Sequence, residues 1–197
     1  MNTFNQKEFT ELCKKFNTSG HMEDATIRYR NSSFFNKMKA SVMRDRRGEV
    51  VFCVIRADGG IITITCSEYP AGVFRIPTGG IGHGEDIVDA VYREVKEELG
   101  LDVEIKEFAG VVRICFEHAA EQAMFYSYIF ILAEKGGRLL LDAVDDEISE
   151  VRVVTLEELA GIVEELNKIQ GKWSDWGRFR YVTSNAVLKV LKKGLGP

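Results

Sequence analysis

The chain has 197 residues, 45% of them hydrophobic and 28% charged, and carries a formal net charge of -4. That size and balance describe one globular domain with enough apolar residues for a sizeable core. A negative net charge without a dense basic stripe argues against a dedicated nucleic-acid binder. The absence of a membrane-length apolar run, or of a signal peptide's apolar stretch, argues against a membrane span and predicts a cytoplasmic protein.

The first 47 residues read as an N-terminal extension holding a helix and a short strand. In "KEFTELCKKF" Phe9, Leu12, Cys13 and Phe16 share one helical face, and "ATIRYR" alternates as a short strand does. "SSFFNKMKASVMRDRRG" fits neither period cleanly. The extension is expected to pack on the body of the domain, with a subunit interface or a wall beside the substrate as alternatives. The body, residues 48 to 197 with its C-terminal helices, opens with "VVFCVIR", the turn "ADGG" and "IITITCS". An apolar run, a glycine turn and an alternating run predict a β-hairpin. Cys53 and Cys66 would face each other across it. With no C-x-x-C pair among Cys13, Cys53, Cys66 and Cys115, zinc is not expected and free thiols are.

A glycine-rich loop, "EYPAGVFRIPTGGIGHG", then leads into a helix predicted from about Glu85 to Leu99, with Val88, Val91, Val95 and Leu99 as its apolar stripe. Strands are predicted at Leu101 to Ile105, about Val111 to Phe116, Ala123 to Leu132 and across "VRVV". A helix starts at Thr155, where "TLEE" supplies a capping box with Glu158. A last helix is predicted over roughly Ser184 to Lys193. Strands with an early helix and late helices indicate an α+β domain whose sheet is sandwiched by helices.

The helix end "REVKEELGL" breaks local rules in one direction. A helix C-terminus carries partial negative charge and favours cations, yet Glu94, Glu97 and Glu98 gather in its last turns. Like charges spaced i,i+3 and i,i+4 repel by some tenths of a kcal/mol each. A hard divalent cation would turn that repulsion into binding. Just before the helix stand Gly79, Gly80, Gly82 and Gly84, which allow a backbone to approach a ligand or metal closely. Their spacing matches neither a dinucleotide-binding G-x-G-x-x-G nor a P-loop.

Loop and helix together run Gly79, Glu85, Arg93, Glu94, Val95, Glu97, Glu98, Gly100 and Leu101 at fixed spacing. This resembles the Nudix box, the signature of the Nudix (MutT-type) hydrolases. The resemblance implies an α/β/α sandwich with a mixed central sheet. It also implies a metal-dependent hydrolase that cleaves a diphosphate linkage in a nucleoside diphosphate derivative with Mg²⁺ or Mn²⁺. By position, Glu94, Glu97 and Glu98 would hold the metal, helped by a backbone carbonyl near Gly79. Arg93 would orient a glutamate and Glu85 would support the site from the helix's other end. Glu97 or Glu98 is the expected general base, with Glu117, Glu121, Glu147 and Glu150 as alternatives outside the box. Arg75, Arg113 and His83 are candidate substrate contacts. Trp173 and Trp176 are read as core anchors of the last helix rather than base-stacking groups.

The substrate stays open. The ADP-ribose branch usually carries a proline shortly downstream of the box, and none occurs here between Pro77 and Pro197. The expected partner is a small nucleotide diphosphate, with no nucleic acid or membrane and a homodimer as a possibility. The rival reading is a Nudix-fold nucleotide sensor that binds without turnover. Such proteins usually lose box glutamates, and this chain has them all.

Overall fold

In the computed structural model, residues 3–144 and 147–194 are described. Strand alternation divides the apolar residues between two faces of one sheet. In β2 (Gly48–Ile55), Val51 and Cys53 join one core cluster while Val50, Phe52 and Val54 join another. In β6 (Glu121–Gly137), Phe125, Ile129 and Ile131 go to the first, and Tyr126, Tyr128, Phe130 and Leu132 to the second. A strand covered on both faces reads as an unbroken apolar run, which is why "VVFCVI" shows no polar alternation.

The other strands are β1 (His21–Arg28), β3 (Ile61–Cys66), β4 (Thr78–Ile81), β5 (Leu101–His118) and β7 (Ile148–Val154). The sheet order is β1-β5-β6-β2-β3-β7, with β4 paired to β2. It is mixed: β1 runs parallel to β5 and β2 parallel to β6, and the other pairs are antiparallel.

Helices cover both faces. On one lie α1 (Gln6–Lys15), through Phe9 and Leu12, and α3 (Ile87–Glu94), through Ile87, Val88, Ala90 and Val91. On the other lie α2 (Ser32–Arg44), α4 (Leu156–Lys168) and α5 (Ser174–Gly194), through Phe35, Val42, Leu159, Val163, Phe179 and Val187. The architecture is the α/β/α sandwich expected of the sequence. The N-terminal segment contributes to all three layers, α1 to one face, β1 to the sheet and α2 to the other face.

Several elements differ from the sequence reading. The stretch after Asn31 that fitted neither period is α2, started by the Asn31 side chain, which accepts from the Ser33 and Phe34 N–H groups. The two strands expected over 101–116 are one long β5, whose pairing with β6 shifts register at three places that account for the broken alternation. The last helix begins ten residues before the expected Ser184, because "SDWGRFRY" buries Phe179 and Arg180 in spite of its polar composition. Cys53 and Cys66 do not face each other. Cys53 lies in one core cluster and Cys66 packs against the other, as thiols on opposite faces of the sheet must. All four cysteines are free, and burial pushes the Cys53 thiol up to about 12. The capping box at α4 is present, with Thr155 and Glu158 bonded reciprocally. Trp173 and Trp176 have ring centroids 5.7 Å apart at the start of α5, against Phe34 and Tyr69 respectively, and both are half-buried and outside the two core clusters.

Candidate active site

The glycine loop and the acidic helix meet because β4 leads directly into them. The Asp86 side chain caps α3 by accepting from the Val88 and Asp89 N–H groups, so the helix begins two residues later than Glu85. It is also not α-helical to its end. Val95 to Leu99 form a π-helical turn, closed by Gly100 in the left-handed region at φ 72°. A side chain at Gly100 would also strike the backbone of Asp142 and Ala143 at 2.5 Å. The segment around those residues caps the turn: the Leu140 N–H donates to the Leu99 carbonyl and the Val144 N–H to the Glu97 carbonyl. Single π turns inside helices are rare and frequent at functional sites, and this one holds Glu97 and Glu98.

Arg93 organises the carboxylates. Its Nε and Nη2 donate to the two Glu85 oxygens at 2.7 and 3.0 Å. Nη1 donates to Glu94 at 2.8 Å and to Glu97 at 2.9 Å, and Nη2 also reaches the Gly80 carbonyl at 2.9 Å. These bonds engage all five donors of the guanidinium fork. The same carboxylates raise the affinity of Arg93 for its proton, chiefly through Glu85. In return Arg93 holds the Glu85 carboxyl below the usual carboxylate range, assisted by the Gly82 N–H, which donates to Glu85 at 2.7 Å. Glu94 goes the other way: its side chain is only 12% exposed, and burial raises its pKa despite the bond from Arg93.

Gly79 has a steric reason to be glycine. A Cβ there would lie 2.2 Å from the Glu94 Cγ and Cδ. The missing side chain is what lets the Glu94 carboxylate lie against the β4 backbone, beside the carbonyls of that turn.

The structure thus brings Glu85, Arg93, Glu94 and Glu97 together beside Gly79 and Gly80, with Glu98 half-buried in the same turn. Other sequence candidates lie apart from this hydrogen-bonded group. His83 is exposed in the glycine loop. Arg113, on β5, is paired at 2.6 Å with Asp24 and stands over the Phe4 ring. Arg75 is buried, donating to the Tyr69 hydroxyl, the Ile76 carbonyl and the Thr78 hydroxyl. Glu117, Glu121 and Glu150 make ion pairs with Arg28, Lys39 and Arg152, and Glu147 is exposed. Sequence reasoning missed Arg47, which donates to both Glu8 oxygens and to the Glu85 carbonyl and so ties α1 to the loop. It also missed Glu49, a fully buried carboxylate in an otherwise apolar strand, which was the available signal.

The donor set suits a hard divalent cation: Glu97 and Glu98 on the widened turn and the largely buried Glu94 just before it, next to backbone carbonyls. Among the described residues no group of three acidic, histidine or cysteine side chains already converges as a ligand set. Arg93 supplies the positive charge that Glu85, Glu94 and Glu97 require.

The NUDIX domain pattern matches residues 45–177, well over half of the chain. The chain belongs to the Nudix family. The Nudix match runs from just before β2 to the start of α5 and leaves α1, β1 and α2 outside it. One relative, Nudix hydrolase 8 of Arabidopsis thaliana, is 33% identical over 100 residues, covering 51% of this chain and 25% of that protein. A second, the ADP-ribose pyrophosphatase of Methanocaldococcus jannaschii, is 30% identical over 124 residues, covering 62% of this chain and 70% of that protein. The chain therefore spans about a quarter of the plant relative's length. Among solved structures, a NUDIX hydrolase from Nitrosomonas europaea has a TM-score of 0.48 at 16% identity, covering 68% of this chain and 86% of that one.

Proposed function

We propose that this Nudix chain is a divalent-cation-dependent hydrolase of a nucleoside diphosphate derivative. The observation that carries the reading is the carboxylate cluster at the end of α3 and on the π turn, oriented by a saturated Arg93, with Glu94 admitted to the β4 backbone by Gly79.

In this reading Glu94, Glu97 and Glu98 would hold Mg²⁺ or Mn²⁺ with the carbonyl near Gly79. The cation would supply charge neutralisation and polarisation at the diphosphate. Glu97 or Glu98 takes a proton from the attacking water, whose oxygen bonds to phosphorus as the bridging P–O bond breaks. The bridging oxygen leaves on the second phosphate. Arg93 acts through the carboxylates: it keeps Glu94 and Glu97 aimed while Glu85 anchors its other edge.

The test is a substrate panel with Mg²⁺ and with Mn²⁺, read as release of a nucleoside monophosphate. ADP-ribose is the first compound to try, since the archaeal relative is named for it. Turnover of at least one compound, abolished by a chelator, is expected. Tight binding of one compound with turnover of none would replace this reading by that of a nucleotide sensor. A cytoplasmic location and a homodimer belong to the same proposal. Among the described residues no helix is long and apolar enough to cross a membrane, and no strand pairs with the outer edge of β1. Sedimentation checks the dimer.

A further inference from the structure

Behind β4, on the sheet face opposite α3, lies a second group of charges that the box does not include. Glu49 pairs with Gly80 in the β2–β4 register and is fully buried, accepting from the Ser127 hydroxyl at 2.8 Å and from Arg180 Nη1 at 3.0 Å. Arg180, on α5, is 6% exposed, and its Nε has no hydrogen-bond partner among the described residues. Arg46 enters the same region with its guanidinium 5.5 Å from the Phe125 ring centroid, and its buried Nε likewise has no partner among the described residues. Arg75 is the third guanidinium there, interacting with both Arg46 and Tyr69, but four of its donor bonds are already made.

Arg46 and Arg180 thus share the fully buried Glu49, Arg46 also feels Glu94 across Gly80, and the three guanidiniums still outnumber these two carboxylates. Buried charge is tolerated when it is paired and hydrogen-bonded, and an unpaired buried cation is costly. Guanidinium does not lose its proton to relieve the imbalance, and a bound anion would both offset the charge and accept from the open Nε groups.

The two glycines of β4 say where that anion comes from. A Cβ on Gly79 would collide with Glu94, while a Cβ on Gly80 would meet Arg46 Cδ at 3.3 Å and Glu94 Oε1 at 4.0 Å. With no side chain at either position, Glu94 reaches both glycines and Arg46 reaches Gly80, so the acidic group and the arginine group meet at the same short piece of backbone. We propose that Arg46 and Arg180, with Arg75 behind them, form a phosphate subsite facing the box across Gly79 and Gly80. One phosphate of the diphosphate would sit at the carboxylates with the cation and the other on the guanidiniums, which suits planar, forked recognition of phosphate oxygens. The inference rests on the hydrolase reading for its substrate, but its test does not need turnover.

The probe is inorganic pyrophosphate with divalent metal chelated, titrated calorimetrically into the full chain, Arg46→Gln, Arg180→Gln and the surface control Lys168→Gln. Lys168 pairs with Glu165 on the exposed face of α4. At least tenfold weaker binding in both arginine variants, with the control unchanged, is the expected result. No measurable binding by the unaltered chain, equal binding in all variants, or equal weakening in the control would each overturn the subsite. Arg180→Gln leaves Glu49 without its partner, so Arg180→Lys, which keeps that charge, accompanies it. Tenfold weakening by Arg46→Gln with intermediate loss by Arg180→Lys sustains the subsite where the Gln variant does not fold. Pyrophosphate held through the arginines, with no derivative ever hydrolysed, breaks the hydrolase reading and leaves the subsite standing. Hydrolysis with unaltered pyrophosphate binding in the arginine variants breaks the subsite alone.

Discussion

Arg93 and Arg180 are the same side chain used in opposite ways. Arg93 is over a third exposed and has every donor matched to an oxygen. Arg180 is almost wholly buried, donates to Glu49, and has an Nε without a partner among the described residues. A saturated fork fixes the groups around it and has nothing left to offer a ligand. An unsaturated fork in the interior carries a desolvation cost of about 1–3 kcal/mol that a further acceptor would remove. The difference separates a positioning residue from a group awaiting an anion, and it cannot be read from residue type.

The largest test of that contrast is at the carboxylates Arg93 positions. Glu97→Gln and Glu98→Gln remove the candidate bases, and at least one should lower the rate of hydrolysis about 10²-fold or more. Steady-state rates checked against pyrophosphate binding tell catalysis from binding, since only the rate should fall. Full activity in both variants would remove the general base from the box. Replacing Arg93 by Lys keeps the charge but loses the fork. It should cost about 1–3 kcal/mol in stability by leaving oxygens of Glu85, Glu94 or Glu97 without donors, measured by denaturant unfolding. The cost should exceed that of Arg113→Lys, whose single acidic partner, Asp24, is largely exposed.

Gly79→Ala sharpens the comparison from the backbone side. The added methyl must displace the Glu94 side chain, at about 1–3 kcal/mol for overpacking, and the variant should lose activity by more than its unfolded fraction explains. Gly84→Ala makes no such collision, although its positive φ of 84° leaves it a backbone strain of its own.

The smallest effects lie at α4, far from both arginines. Thr155→Ala should cost about 1 kcal/mol through the lost cap. Glu158, its reciprocal partner, is held below the usual carboxylate range by the Thr155 N–H and hydroxyl. A depressed folded-state pKa contributes stability that is present above the unfolded value of about 4.3 and lost as pH falls through the folded one. The melting-temperature difference between Glu158→Gln and the unaltered chain should therefore be seen at pH 7 and shrink below pH 4.

Much of this protein is decided within short stretches of chain. The apolar period of "KEFTELCKKF", the turn "ADGG", the capping box at Thr155 and the box from Gly79 to Leu101 each depend on neighbours a few residues away, so their elements can be read from local pattern. Glu94, Glu97 and Glu98 announced themselves because like charges at a helix end violate a local rule. The widening of that end to a π turn did not, since it depends on a cap from residues 140–144, some forty positions downstream. Nor did the arginine group. Arg46, Arg75 and Arg180 are brought together by a β2–β4 pairing and by α5 packing against the sheet. Contacts between residues more than a hundred positions apart leave no period in the sequence. Local physics determined where the carboxylates stand, and only tertiary packing decided which guanidiniums face them across the glycines.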